Sequence, residues 1–259
     1  LEVTKIYSVG GLLSGERPFI ASRPFRNPHH TASYTAIVGG GTYPRPGEVT
    51  LSHRGVLFLD EFPEFDRRVI ESLRQPLEER SITIARVQGV HVFPAHFMLV
   101  AAMNPCPCGN LGNPLQDCVC TPGAITKYKK KISGPMLDRI DLHIETPPVA
   151  FEKLEGKEGE SSADVRARVE KARALQKKRF RDLPIYTNAE MGLRELKQFV
   201  PIQGSLRSML ELAHERHRLS ARAYHRLLKL SRTIADLEGA EDVRENHVLE
   251  ALQYRPKLE

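Results

Sequence analysis

The chain has 259 residues, 41% hydrophobic and 27% charged, enough to bury one substantial core and a smaller satellite domain. It contains no apolar run of about 18 residues and no signal-peptide pattern, which excludes a membrane-spanning helix and sets the expectation of a cytoplasmic protein with no membrane partner. A net charge of +6 and a pI near 9.2 suit a polyanionic partner without requiring one.

Residues 1–54 are rich in Gly, Pro and His, as in Arg23-Pro-Phe-Arg-Asn-Pro-His-His30 and Gly39-Gly-Gly-Thr-Tyr-Pro-Arg-Pro-Gly47, and that density of breakers predicts loops. Val56, Leu57, Phe58 and Leu59 then form a short apolar run without alternation, the pattern of a parallel strand buried on both faces. Asp60 and Glu61 emerge together at its carboxyl end, where open α/β sheets bind ligands. One carboxylate there can hold the water shell of Mg²⁺, and a second can orient or deprotonate a water that attacks a γ-phosphate. Alternatively, two acids end a strand and face solvent.

Asp66 is placed to cap a helix carrying Val69, Ile70, Leu73 and Leu77 on one face, with Pro76 kinking or ending it. Ser81 to Val87, a Gln88-Gly89 turn and Val90 to Phe93 alternate with period two and predict a hairpin. Arg86 and His91 flank its turn, where they either contact nucleic-acid phosphates or merely solvate the tip. A second apolar run, Phe97 to Ala102, leads to Asn104, an uncharged polar group able to hydrogen-bond the same water or the γ-phosphate. Two strands that end this way are a stronger signal than either alone.

All four cysteines follow at once, as Cys106-Pro-Cys108 and Cys118-Val-Cys120. Four thiolates satisfy tetrahedral zinc with no open position, so the expectation is one structural Zn²⁺. The spacing is tighter than the usual C-x₂₋₄-C, and Pro107 limits how both flanking thiols turn inward. Two disulfides are the main rival, although a reducing compartment seldom preserves them. Reduced or air-oxidised free cysteines are the remaining alternative.

Residues 149–163, with Glu, Gly, Lys and Ser and little apolar content, read as a linker. Ser161 and Asp164 resemble a capping arrangement for a helix running to about Arg181, which carries eight Lys or Arg between Arg166 and Arg181 against the single acid Glu170. That run is either a solvated face or a nucleic-acid contact. From Asn188 onward the pattern is helical: Leu193, Leu196, Phe199 and Val200 before Pro201; a helix over about 206–217; Leu227, Leu230, Ile234 and Leu237 before Gly239; and a last helix capped by Asn246 with Val248, Leu249 and Leu252.

The stretches Gly47-Glu-Val49, Leu51, His53, Gly55-Val-Leu-Phe-Leu-Asp-Glu61, Asn104-Pro-Cys-Pro-Cys-Gly109, Ser133-Gly-Pro-Met-Leu-Asp-Arg139-Ile-Asp-Leu142 and Leu219-Ser-Ala-Arg222-Ala-Tyr-His-Arg resemble AAA+ ATPases of the magnesium-chelatase class, in the ComM/YifB branch. The resemblance covers nearly the whole chain. It implies that Asp60 and Glu61 are the Walker B pair, with Asp60 at the Mg²⁺, that Asn104 is sensor 1, and that Arg139 is an arginine finger acting on a neighbouring subunit's ATP. Arg222 would be the sensor 2 arginine at the γ-phosphate. It further implies an α/β fold: an incomplete AAA+ αβα domain with a β-hairpin insertion over 1–148, a linker and basic helix over 149–187, and an α-helical lid over 188–257. The hairpin and the Gly41–Gly47 loop would point into the pore of a ring, most simply a homo-hexamer. Nowhere does the chain contain G-x-x-x-x-G-K-[ST], so it reads as a piece cut downstream of its phosphate loop and of an amino-terminal Lon-protease-like domain. The function implied is that of an ATP-hydrolysing DNA helicase or branch-migration protein of transformation and recombination. Two alternatives stay open: a chelatase-type motor acting on a protein partner, and a non-catalytic zinc-stabilised nucleic-acid-binding module.

Overall fold

Two units partition the chain, Leu1–Ile140 and Asp141–Glu259, in a computed structural model that describes residues 1–16, 18–41, 43–86, 89–147, 159–217 and 219–255. The division falls between Ile140 and Asp141. The basic helix, expected to form one segment with the linker over 149–187, lies within the second unit, where Ala172, Gln176 and Phe180 are buried. Most of the expected linker falls outside the described residues.

The strands of the first unit are β1 (Phe25–Arg26), β2 (Gly39–Gly40), β3 (Arg45–Pro46), β4 (Val56–Leu59), β5 (Ser81–Arg86), β6 (Gly89–Pro94) and β7 (Met98–Ala101). Three of them make a sheet of order β1-β4-β7, parallel throughout, with Phe25 opposite Val56 and Leu59 opposite Ala101. The central strand can start beside β1 only because residue 55 is glycine: a Cβ there would lie 1.9 Å from the Pro24 carbonyl oxygen, while Val56 N–H donates to that same oxygen at 2.8 Å. Leu57 and Leu59 are fully buried and join Ile37, Val69, Ile70, Leu73 and Met136 in one core. The other face differs from the expectation of burial on both sides. Val56 and Phe58 are half-buried, and their neighbours Phe25, Met98 and Val100 stand 64%, 64% and 39% exposed. The core elements of this unit gather on the Leu57 and Leu59 side, and an apolar run by itself does not say whether both sides of its sheet are covered.

Residues 1–54 are more ordered than their Gly and Pro content predicts. They supply β1, the two-residue β2–β3 ladder, and short helices over Glu2–Val9, Tyr34–Val38 and Glu48–Leu51. Buried Ile6, Ile37, Val38, Val49 and Leu51 explain why, since tertiary packing holds turns too short to persist alone. Asp66 caps as expected, accepting from Arg68 N–H at 2.8 Å, and the predicted helix is broken at Leu73 into Arg67–Ser72 and Arg74–Glu79, with Pro76 in the first turn of the second piece. The hairpin forms from β5 and β6 in antiparallel register, Ile84 opposite His91.

The second unit is helical, with Ser162–Arg179, Leu193–Phe199, Gly204–His217, Ala221–Glu238 and Glu245–Gln253. Ser161 Oγ caps the first of these by accepting from Asp164 N–H at 3.2 Å. The last helix starts differently from the prediction. Arg244 holds the cap position and its N–H donates to His247 Nδ1 at 2.9 Å, whereas Asn246 sits inside the first turn and reaches Glu238. Leu227, Leu228, Ile234, Val248 and Ala251 build the core with Leu196 and Leu210 from the other helices and Leu219 from the connection before Ala221–Glu238. Asp236, 2% exposed, lies at its centre and accepts from Arg179 Nη1 at 2.7 Å, Asn188 Nδ2 at 2.7 Å and Arg232 Nε at 3.1 Å. Arg232, equally buried, spends its other nitrogens on the Ala240 and Glu241 carbonyls at 2.7 Å. Arg179 thus leaves the basic face and turns inward.

Candidate functional site

Parallel pairing of β4 with β7 brings the two predicted polar ends to one edge of the sheet. Ala102 N–H donates to the Leu59 carbonyl and Phe62 N–H to the Ala102 carbonyl, both at 2.9 Å, so the ladder continues through the point where Asp60 and Glu61 leave the strand. Both carboxylates and Asn104 are exposed. Asp60 Oδ1 accepts from Glu61 N–H at 2.8 Å. Glu61 takes the left-handed conformation at φ 51°, a strain of about 1–2 kcal/mol for a residue with a Cβ. Outliers of this kind are frequent at ligand sites, and Arg54 and Arg80 share the conformation at φ 60° and 58°.

Two residues that sequence reasoning missed complete the edge. His30, beyond β1, brings Nδ1 to 2.9 Å from Glu61 Oε2. Tyr128 is the buried residue of the helix Pro122–Lys129, and the Asn104 backbone hydrogen-bonds its phenol. Burial first, and then the nearby Glu64, push that phenol above its ordinary pKa, with Cys106 and Glu61 adding to the same effect. Only the adjacent His29-His30 pair after an Arg-Pro-Phe-Arg run offered a local signal for the first, and a lone Tyr among lysines offered none for the second.

The four cysteines converge beside Asn104. Their sulfurs all lie within 4.8 Å of one another, with Cys106 to Cys108 at 3.4 Å and Cys118 at 3.6 Å from each. A zinc tetrahedron with bonds of about 2.3 Å has edges of about 3.8 Å, so the donor set has the right size and chemistry for this ion. No pair is at bonding distance and all four are free thiols. Pro107 does not hold Cys106 and Cys108 apart, because Gly109, at φ 82°, lets the chain turn and its N–H returns to the Cys106 carbonyl at 3.0 Å. Backbone N–H groups of Asn110 and then Val119 draw the Cys108 thiol down to about 6. Against a lowering backbone hydrogen bond from Cys120, desolvation and the neighbouring thiols push Cys118 up to about 12. Leu111 N–H donates to Cys106 Sγ at 3.3 Å, the kind of outer contact that steadies a metal-bound sulfur.

The remaining predicted residues follow in other segments of the chain. Arg139 is 9% exposed at its side chain, bound to Glu78 at 3.0 Å and donating to the Pro135 carbonyl at 2.6 Å. Glu78 is therefore an ion-pair partner of Arg139. Arg222 is exposed in the first turn of Ala221–Glu238, which Ser220 caps. His91 is exposed on β6; the side chain of Arg86 lies outside the described residues. No helix among the described residues is long and apolar enough to cross a membrane.

Family models decide the kinship: that of magnesium chelatase subunit ChlI matches residues 1–154, and that of the ChlI carboxyl-terminal domain matches residues 159–255. The chain belongs to the magnesium chelatase family. This family member is 45% identical over 259 residues to the competence protein ComM of Haemophilus influenzae, covering 98% of this chain and 50% of that one. It is 45% identical over 236 residues to the uncharacterized protein YifB of Escherichia coli (90% and 45% covered), and 42% identical over 256 residues to the uncharacterized protein Rv2897c of Mycobacterium tuberculosis (98% and 50% covered). It spans about half the length of the curated relatives it matches. The chelatase family implies an AAA+ fold, and the parallel sheet with its flanking helices agrees with the α/β class.

Proposed function

We propose that this chain carries the hydrolytic half of an ATP-driven AAA+ motor that works on DNA, as a helicase or branch-migration protein of transformation and recombination. The observation that carries the reading is the pairing of β4 with β7, which sets Asp60, Glu61 and Asn104 at one sheet edge. Asp60 would hold Mg²⁺ through its water shell, and the ion would neutralise charge on the phosphates. Glu61 would accept a proton from the attacking water, and Asn104 would orient that water or the γ-phosphate. Arg139, once released from Glu78, would reach a neighbouring subunit's ATP, and Arg222 in the helical lid would reach ATP from its own side. The phosphate loop would come from a part of the full-length protein beyond these 259 residues, and the assembly would be a cytoplasmic homo-hexameric ring with Arg86 and His91 facing DNA in its pore. Kinship with the competence protein ComM favours DNA over a protein partner.

The cysteine cluster would hold one structural Zn²⁺, fixing the Gly109 to Pro122 loop beside Asn104. Metal analysis of protein purified under reducing conditions without chelator should find close to one zinc per chain, lost in Cys108→Ser; a folded metal-free protein would end that assignment.

The decisive experiment is ATP turnover by the full-length protein with and without branched DNA. Magnesium-dependent hydrolysis stimulated by branched DNA is expected, together with binding that weakens linearly in log salt. Turnover indifferent to DNA but stimulated by a protein partner would favour the chelatase-type motor instead. These 259 residues alone should not hydrolyse ATP, because positioning of the γ-phosphate supplies most of the catalysis. Mixing full-length Arg139→Ala and Glu61→Gln subunits should restore part of the activity if Arg139 acts across the interface.

A further inference from the structure

The basic run that the catalytic reading leaves unused lies on the helix Ser162–Arg179, and the structure sorts its cations into two groups. Arg179 turns into the core and donates to Asp236 Oδ2 at 2.7 Å, and Arg168 donates to Glu160 Oε2 at 2.7 Å. Arg166, Lys171, Lys177 and Lys178 are exposed and, among the described residues, their side chains have no hydrogen-bond or ion-pair partner. Arg173, also exposed, meets only the neutral oxygens of Gln176 and Tyr186, at 3.2 and 3.4 Å, so its charge is uncompensated as well. We propose that this face of the helix is a second nucleic-acid contact, in addition to the hairpin, that binds backbone phosphates. The inference rests on the reading that the full-length protein works on DNA.

Helical geometry gathers these five charges. At about 100° per residue they fall within an arc of roughly 160°, and the buried Ala172 and Gln176 lie on the side away from it. From Arg166 to Lys178 the helix rises about 18 Å, a length over which duplex DNA carries on the order of ten phosphates. Between those two residues the arc holds one acid, Glu170, and otherwise only the small Ala167 and Ala174, which let a nucleic-acid backbone approach the cations. A solvated helix face commonly pairs an acid with a base four positions on, whereas Arg173 and Lys177 are like charges at that spacing. The helix dipole accounts for Lys177 and Lys178 in the last turn, but not for Arg166, Lys171 and Arg173, because its effect fades beyond that turn. Uncompensated charge of one sign repels itself in the folded state and steers a polyanion toward it. No aromatic, Asn or Gln side chain lies on this arc to stack on a base or read its edge, and no large apolar one to enter a bilayer. The partner it fits is therefore a phosphate backbone, bound without regard to sequence.

The test uses the full-length protein and labelled DNA of several unrelated sequences. Lys171→Gln, Lys177→Gln and Lys178→Gln combined should weaken binding roughly tenfold or more and reduce the slope of log affinity against log salt by about 2 to 3, three contacts at about 0.7–0.9 each. The same three positions changed to Arg should keep the wild-type slope. Glu170→Gln, which removes the one acid, should tighten binding. ATP turnover without DNA should be unchanged in all of these variants, since none of the residues belongs to the nucleotide machinery proposed above. An unchanged affinity and slope in a triple Gln variant that keeps the wild-type unfolding midpoint overturns the proposal. So does an equal loss in the triple Arg variant, or an affinity that falls in Glu170→Gln. Capture by phosphatidylserine vesicles that is lost in the triple Gln variant while DNA binding is kept would overturn it in favour of a membrane surface. Wild-type protein that binds no DNA would remove the DNA reading and this contact with it, whereas wild-type DNA binding indifferent to the three exchanges would remove only the contact.

Discussion

Two regions of this molecule place charge among apolar residues, and they treat it in opposite ways. In the helical unit Asp236 is closed in by Arg179, Arg232 and Asn188, and the second arginine spends its remaining donors on backbone carbonyls. At the sheet edge Asp60, Glu61 and Asn104 stand exposed, and Glu61 keeps a strained backbone. Charge that serves the fold is surrounded until its hydrogen-bonding capacity is used, because a buried ion with an open valence is costly. The exposed groups at the sheet edge keep hydrogen-bonding capacity in reserve, which the proposed role at ATP would use.

Asp236→Ala should show the contrast most strongly. It strands two buried guanidinium groups and should cost about 3–5 kcal/mol in urea unfolding, whereas Glu61→Gln should stay within about 0.5 kcal/mol of wild type. Equal effects would erase the distinction. Burial opposes ionisation of Asp236, but hydrogen bonds from Arg179 and Asn188 more than offset it and hold the carboxyl below its ordinary pKa. Its contribution is therefore complete above roughly pH 4 and is lost as pH falls further.

The converse holds for activity. In the full-length protein Glu61→Gln should reduce ATP turnover by about 10²- to 10⁴-fold, the usual range for losing a general base, with nucleotide binding retained. A variant that unfolds instead would move Glu61 into the structural class.

Arg139 sits between the classes, anchored to Glu78 yet assigned a role in a neighbour's site. Glu78→Ala should cost only about 1 kcal/mol, because Glu78 is 30% exposed and water can replace it. A loss several times larger would make the pair a structural one like Asp236 and its arginines.

The smallest effect concerns His53, whose side chain is 4% exposed and accepts from His96 N–H at 3.1 Å. Burial holds its pKa below the ordinary value, against the raising hydrogen bond of Glu2. The unfolded chain then takes a proton near pH 6.5 that the folded one resists, so stability should decline as pH drops below that value. His53→Gln should flatten the decline, as read from unfolding midpoints across pH 5–7.

The parts legible in the sequence were those written in consecutive residues. The Val56–Leu59 run and its two acids, the caps at Asp66 and Ser161, the hairpin and the helical carboxyl-terminal half all have local signatures. His30 and Tyr128 escape because they reach the site from other elements, and no spacing rule links position 30 to 61 or 128 to 104. The strand and helices within residues 1–54 escape because Gly and Pro density predicts loops wherever burial, rather than propensity, holds the chain. Asn246 has the residue type of a cap, but the His247 ring already serves the Arg244 N–H. C-x-C spacing undersells the cysteines, because Gly109 supplies a turn that spacing statistics do not weigh.

The sheet ends at β7, beyond which no strand lies among the described residues, and Phe25, Met98 and Val100 line its uncovered face. An edge strand bordered by apolar side chains is the kind of surface to which a further strand adds. For a preparation of this chain, concentration is therefore expected to act as a chemical variable: light scattering across a dilution series should show apparent mass rising with concentration, and a constant mass would mean that the edge stays unpaired.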